Sequence, residues 1–262
     1  MSGELVHLAI EKGIATITLD SPANRNALSR QLTTELEAQV NAALADSRAR
    51  LIVLTGTGTV FCSGADLKEQ RVANETRSAG QIGPGGLVPI LQALWSSPKP
   101  VIGRINGSAR AGGLGLIAAC DIAVASEAAT FAVSEVRIGV IPAIISVLLV
   151  RKIGETRAME LFLTGEVFDA PRAAEIGLVN AAAPAEELDA AVGQFVSAIL
   201  KGAPAALGGA KQLVRDVPGM EIDAAFVEMA TRSAVFFASA EAREGMTAFA
   251  EKRPPSWQED VR

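Results

Sequence analysis

Apolar and polar positions alternate at short period near the start of the chain and then switch to longer spacings. Residues 5–10 and 14–19 flank Glu11-Lys12-Gly13 and predict a β-hairpin. Leu32, Leu36, Val40 and Leu44 then recur every four residues, as one apolar face of a helix does, with Ser29 as N-cap and an end near Ala45. Residues 51–55 are wholly apolar, the pattern of a strand covered on both faces. A helix over 87–95 is punctuated by Pro98-Lys99-Pro100 before a strand at 101–105. The spacing further predicts a small-residue helix over 112–120, strands at 121–125 and 131–133, a loop over 134–142 and a helix to about Lys152. From Glu155 the pattern is helical almost throughout, broken at Gly165, Gly177, Pro184, Gly202 and Pro218. Strands and helices interleave over two-thirds of the chain and helices fill the rest, which implies an α/β core with a C-terminal helical region. Residues 68–86 are polar and end Gly83-Pro84-Gly85-Gly86, the composition of a mobile loop or lid beside a site.

The chain has 262 residues, 49% hydrophobic and 20% charged, enough for a substantial core in one large domain or a domain with an appendage. A net charge of −5 leaves no electrostatic footprint for nucleic acid or an anionic membrane. Two cysteines, Cys62 and Cys120, support neither a disulfide framework nor a four-ligand zinc site, and a packing role is expected for both. His7 is the sole histidine, placed on the first strand as a surface or packing residue, so no metal site is expected. The N-terminus lacks the basic and apolar regions of a signal peptide. The longest apolar stretch, 138–150, contains Pro142 and is too short to span a bilayer. These features predict a soluble, cytoplasmic protein.

Candidate chemistry gathers in two glycine-rich segments, Phe61-Cys62-Ser63-Gly64-Ala65-Asp66-Leu67 and Arg110-Ala111-Gly112-Gly113-Leu114-Gly115-Leu116. Each follows an apolar run and precedes helix-like sequence, so each can aim free backbone N–H groups into a cleft. Two such donors converging on one point polarise a carbonyl and hold its developing charge. Asp66 is expected to fix its loop by hydrogen bonding. Gly113-Leu114-Gly115-Leu116-Ile117-Ala118 also fits a dinucleotide-binding fingerprint, but 106–111 separates it from the preceding strand and no acidic residue ends the next one.

These segments resemble the crotonase, or enoyl-CoA hydratase/isomerase, superfamily. So do Asn24-Arg25-Asn26-Ala27-Leu28, Cys120-Asp121-Ile122-Ala123-Val124-Ala125, the stretch from Phe131 to Gly139, and Ala248-Phe249-Ala250-Glu251-Lys252-Arg253-Pro254. The resemblance covers essentially the whole chain. It implies a spiral of ββα units over residues 1–200 and a helical trimerisation region over 201–262 that completes the CoA pocket. The implied assembly is a homotrimer or homohexamer. It also implies an acyl-CoA thioester substrate, with coenzyme A entering as part of that substrate and no separate cofactor. Matching motifs place the oxyanion donors at Ala65 and Gly112, and a missing Cβ at Gly112 suits close approach of a ligand. CoA contacts fall at Arg25, Ala27, Ser63 and Ala65, with Phe249 and Lys252 reaching the nucleotide from the C-terminal tail of the same or a neighbouring subunit.

Hydratases of this superfamily commonly use two glutamates. The second position is Glu135, where apolar Val133, Val136 and Ile138 favour a raised carboxyl pKa; the alternatives are a solvated loop carboxylate or a partner for Arg137. The first position falls at Gly115, which has no side chain. Glycine there, together with Gly139-Val140-Ile141-Pro142-Ala143-Ile144-Ile145-Ser146, resembles single-glutamate relatives similar to methylglutaconyl-CoA hydratase. Hydration is therefore the expected reaction, with Δ3–Δ2 enoyl-CoA isomerisation and non-catalytic acyl-CoA binding as alternatives. Leu67, Leu87, Ile90 and Ile144 are read as acyl-pocket or core residues. Arg110 suits a CoA phosphate, an acyl carboxylate or a surface ion pair.

Overall fold

The computed structural model describes residues 3–69, 71 and 86–258. Most of the expected lid over 68–86 lies outside them. The hairpin pairs β1 (Val6–Glu11) with β2 (Ile14–Leu19) in antiparallel register, His7 opposite Thr18. Alternating burial along β2 shows one covered face. Helix α1 (Arg30–Ala45) starts where Ser29 Oγ accepts the Leu32 N–H, and it buries Leu32, Leu36 and Val40. Burying each of these side chains contributes roughly 1.5–3 kcal/mol.

From there each strand pair divides between two sheets. β3 (Leu51–Gly56), β5 (Val101–Ile105), β7 (Ile122–Ser126) and β10 (Ala181–Ala183) extend the hairpin in parallel, giving the order β1-β2-β3-β5-β7-β10. Their immediate successors form a second sheet. In it β4 (Val60–Cys62), β6 (Ser108–Arg110) and β8 (Thr130–Ala132) run parallel, and β9 (Phe168–Asp169) closes the edge antiparallel. After its pair each turn supplies a helix. α2 (Leu87–Ser96) follows the first pair, α3 (Gly112–Ala119) the second and α4 (Ala143–Thr164) the third. This is a spiral of ββα units.

The expected helix from Pro142 is longer than its sequence pattern implies. It continues to Thr164 across a break at Gly154, whose φ of 76° only glycine adopts without strain. The main core lies between the large sheet and α1–α4, and α3 is buried along its whole length. A smaller cluster forms where α6 (Leu188–Leu200) lays Leu188, Val192 and Val196 on Leu51, Val53, Ile102 and Val124; α5 (Ala170–Glu175) lies before it in the chain. Residues beyond 200 form α7 (Pro204–Asp216), α8 (Ile222–Phe237) and α9 (Ala240–Ala250).

Helix α7 is fastened to the core by one carboxylate. Asp121 binds Lys211 Nζ at 2.7 Å and Arg215 Nη2 at 2.8 Å while accepting the Val101 N–H at 2.7 Å. Arg215 also stacks on Trp95 at 4.1 Å from the ring centroid. No single helix among the described residues is long and apolar enough to cross a membrane.

Candidate active site

The two glycine-rich segments meet. β4 and β6 are neighbours, with Cys62 paired to Ala109, so the residues after each strand emerge side by side. Contact is close enough to require glycine. A Cβ on Gly64 would stand 2.9 Å from Ala111 Cβ and 3.4 Å from Gly112 N, and one on Gly113 would stand 2.5 Å from Cys62 O. Gly64 also turns the chain with φ +86°. Ala111, at the start of α3, holds φ 48° and ψ −117°, a conformation costing a non-glycine residue about 1–3 kcal/mol.

A Cβ on Gly112 would meet Leu28 Cδ1 at 2.6 Å and Leu87 Cδ2 at 3.3 Å, so a side chain there would have to displace the ends of two leucines. Among the described residues, no hydrogen bond engages the N–H of Ala65 or of Gly112. Gly112 opens α3, where N–H groups have no intrahelical acceptor.

The loop carrying Arg25 is fixed from within. Arg25 and Asn26 both take positive φ, and buried Asn26 receives the Ser21 N–H while donating to Thr57 O and Val60 O. Sequence reading assigned Asn26 no task, and its burial in a left-handed conformation beside Arg25 is what reveals one. Ser63 N–H donates to Arg25 O, Leu28 N–H to Gly64 O and Ala27 N–H to Asn24 O. The backbone donors at Ala27 and Ser63 are thus occupied, and the one at Ala65 is uncommitted. Asp66 binds Asn24 Nδ2 at 2.8 Å and the N–H groups of Lys68 and Glu69, which together hold its carboxyl below the usual range.

Arg25, Ala27, Ser63, Ala65 and Arg110 all line one cavity of about 590 Å³. Gly112, Glu135, Phe249 and Lys252 are not among its lining residues, and Phe249 projects from α9 at 87% exposure. Leu87 and Ile90 are core residues of α2, whereas Leu67 and Ile144 are open to solvent.

Glu135 opens a short 3-10 turn, Glu135–Ile138, directly after β8. Its Oε2 is buried and accepts no hydrogen bond. Burial raises its pKa, and its own backbone N–H offsets this only in part. Arg137 is not its partner, since that guanidinium pairs with Glu166 at 2.6 Å and with the carbonyls of Thr164 and Gly165. Gly115 lies inside α3, and a Cβ there would stand 2.6 Å from Ile145 Cγ2 and 3.5 Å from Leu91 Cδ1. Ile145 of α4 therefore fills the space in which a second carboxylate would begin.

Burial pushes the thiols of Cys62 and Cys120 up to about 12, which keeps them protonated and inert. His7 bridges Glu4 and Asp20 on the surface. Among the described residues no group of metal-ligating side chains occurs.

The family model for enoyl-CoA hydratase/isomerase matches residues 9–260. The 2,3-dehydroadipyl-CoA hydratase of Escherichia coli is 30% identical, over 94% of this chain and 96% of that one. An enoyl-CoA hydratase of Mycobacterium tuberculosis is 34% identical over 92% of each. A crystal structure of an enoyl-CoA hydratase from Shewanella pealeana superposes with a TM-score of 0.91 at 31% identity, covering 97% of this chain and 96% of that one. With the match to its model and the two-sheet spiral agreeing from end to end, the chain belongs to the enoyl-CoA hydratase/isomerase family of enzymes.

Proposed function

We propose that the enzyme hydrates the 2,3 double bond of an enoyl-CoA thioester, with Ala65 and Gly112 binding the thioester oxygen and Glu135 moving the proton. The observation that carries this reading is the buried, unbonded Oε2 of Glu135 in the same fold as two uncommitted N–H groups on adjoining segments. Addition of water at C3 pushes electrons onto the thioester oxygen. Two fixed donors hold that charge, and loss of one such donor typically costs about a hundredfold or more in rate. A carboxyl whose pKa is raised by burial gives its proton to C2 and regains one from the attacking water, so the carboxyl ends unchanged and water is added across the bond. Coenzyme A enters as part of the substrate, with contacts at Arg25, Ala27, Ser63 and Ala65.

Isomerisation is the second reading, and Ile145 in the place of a second carboxylate favours it. A single carboxylate suffices to take a proton from C2 of a 3-enoyl thioester and return it at C4. Incubation with crotonyl-CoA, a 3-enoyl-CoA and a branched enoyl-CoA, followed by mass spectrometry, separates the two. A mass gain of one water marks hydration, and shifted conjugation at constant mass marks isomerisation. Glu135→Gln is expected to cut either activity by about 10²- to 10⁴-fold, the usual weight of a general acid–base; undiminished turnover removes Glu135 from the mechanism.

The region 201–262 is proposed to join copies of the chain and to bring Phe249 and Lys252 to a neighbouring CoA site. Its helix α8 buries none of its residues within one chain.

A further inference from the structure

Arg110 ends β6 on the wall of the 590 Å³ cavity and has no carboxylate partner among the described residues. The guanidinium is nonetheless held in place. Nη1 donates to Ala109 O at 2.8 Å and to Thr130 O at 2.5 Å, and Nη2 donates to Thr130 Oγ1 at 2.8 Å. Thr130 is itself fixed by Ser108 Oγ, which lies 3.0 Å from its hydroxyl and accepts its N–H at 3.2 Å. Nη1 thus spends both hydrogens and Nη2 one. What remains is Nε–H and the second Nη2–H, two donors that form the fork matched to a carboxylate or phosphate. Among the described residues that edge makes no hydrogen bond, and it is not sealed inside packed protein.

Among the described residues the cavity supplies no anion to fill it. Asp66 is committed to Asn24 and two backbone N–H groups, and Glu166 to Arg137. Arg25, Lys68, Arg110 and Arg137 leave the wall with four cations against these two carboxylates, in a chain whose net charge is negative. Desolvation lowers the Arg110 pKa, as it does for a cation withdrawn from water without a counter-ion. A fixed, half-buried guanidinium with its fork vacant is a receptor awaiting an oxyanion.

We propose that Arg110 binds an anionic oxygen group of the incoming thioester, a carboxylate on the acyl chain or a phosphate of CoA, through its Nε–Nη2 edge, and so sets substrate preference. This rests on the cavity being the thioester site. The test measures binding and kcat/KM for three probes: crotonyl-CoA, an enoyl-CoA with a terminal carboxylate, and crotonyl-pantetheine, which lacks the nucleotide phosphates. Arg110→Gln removes the charge, and Arg110→Lys keeps it without the fork. Loss of one charge-assisted pair is expected to weaken the recognised probe about ten- to a hundredfold. A loss confined to the carboxylated probe identifies the acyl chain as the source of the anion. A loss shared by both CoA thioesters and absent from the pantetheine identifies the phosphate. Equal effects on all three probes in both variants overturn the proposal and leave Arg110 a support for Thr130. Failure of the native enzyme to bind any probe overturns the thioester site itself, and this inference with it.

Discussion

A single missing side chain at Gly115 changes the chemistry open to this site, and the molecule has built around it. Ile145 Cγ2 lies 2.6 Å from where a Cβ would stand, so adding a glutamate there forces a stiff, β-branched side chain to move. Overpacking of this kind costs about 1–3 kcal/mol, and trimming a buried isoleucine costs about 2–5 kcal/mol. Combined in Gly115→Glu/Ile145→Ala, each change relieves the other. The double variant is expected to be at least about 1 kcal/mol more stable than the sum of the singles, measured by urea denaturation. Strict additivity would sever the link between the two positions. Glu135 makes a second residue-scale prediction. Its folded pKa is raised, so the folded state holds this proton more tightly than the unfolded chain. Stability conferred by that proton is full below the ordinary value of 4.5 and is lost as pH rises through the folded value. Glu135→Gln has no proton to lose. Its stability relative to the native enzyme should therefore grow as pH climbs above 4.5, in thermal melts across that range. A constant difference would mean the carboxyl is solvated. For catalysis the same shift has a sign. Hydration with Glu135 as the acid loses kcat/KM as pH rises through its pKa, whereas isomerisation with Glu135 as the base gains it.

At the scale of elements, what could be read from sequence followed the length of each pattern. Helix α1 shows its apolar stripe over four turns and its Ser29 cap, and it forms where those signals put it. Of the second sheet only β8 was anticipated, as a strand at 131–133; β4 and β6, three residues each, are too short to show a period. Their pairing is non-local, and it is what brings Gly64 against Ala111. The site was legible as motifs, then, but not as geometry. Ile145, the filler of the Gly115 space, was indistinguishable from any other apolar helix residue. Asp121 was visible in a motif without a task, and its partners lie on α7, about ninety residues downstream by sequence position. Lys211 and Arg215 are largely buried there, so neutralising Asp121 strands two cations. Breaking a buried pair in this way typically costs about 3–5 kcal/mol. Asp121→Asn is expected to lower stability by that order and to expose α7 first, read as faster amide exchange over residues 204–216. Unchanged exchange there would show that α7 is held by its apolar contacts alone.

For the whole molecule, the unsolved problem is the apolar surface left by α8 and α9. Phe226 and Phe237 are exposed by 75% and 70%, and Ile222, Val227 and Val235 join them on a helix with no buried residue. Isolated exposed hydrophobics are ordinary, but five large ones on one helix make a surface suited to contact another copy of the chain. The remaining residues of this region are well anchored, with Trp257 Nε1 on Lys201 O, Arg50 on the carbonyls of Trp257 and Gly202, and Arg253 on Glu244. A helix that buries none of its own residues is suited to lie against the surface of another copy. Such packing would also bring Phe249 and Lys252, which miss the cavity of their own chain, toward a neighbour's thioester site. Phe226→Glu combined with Phe237→Glu should then dissociate the assembly in sedimentation velocity. It should also raise KM for CoA thioesters by more than for pantetheine thioesters, since the lost contacts lie at the nucleotide end. A native enzyme that sediments as a single chain, or a double variant that dissociates with KM unchanged for both substrate classes, would confine Phe249 and Lys252 to the surface of their own subunit.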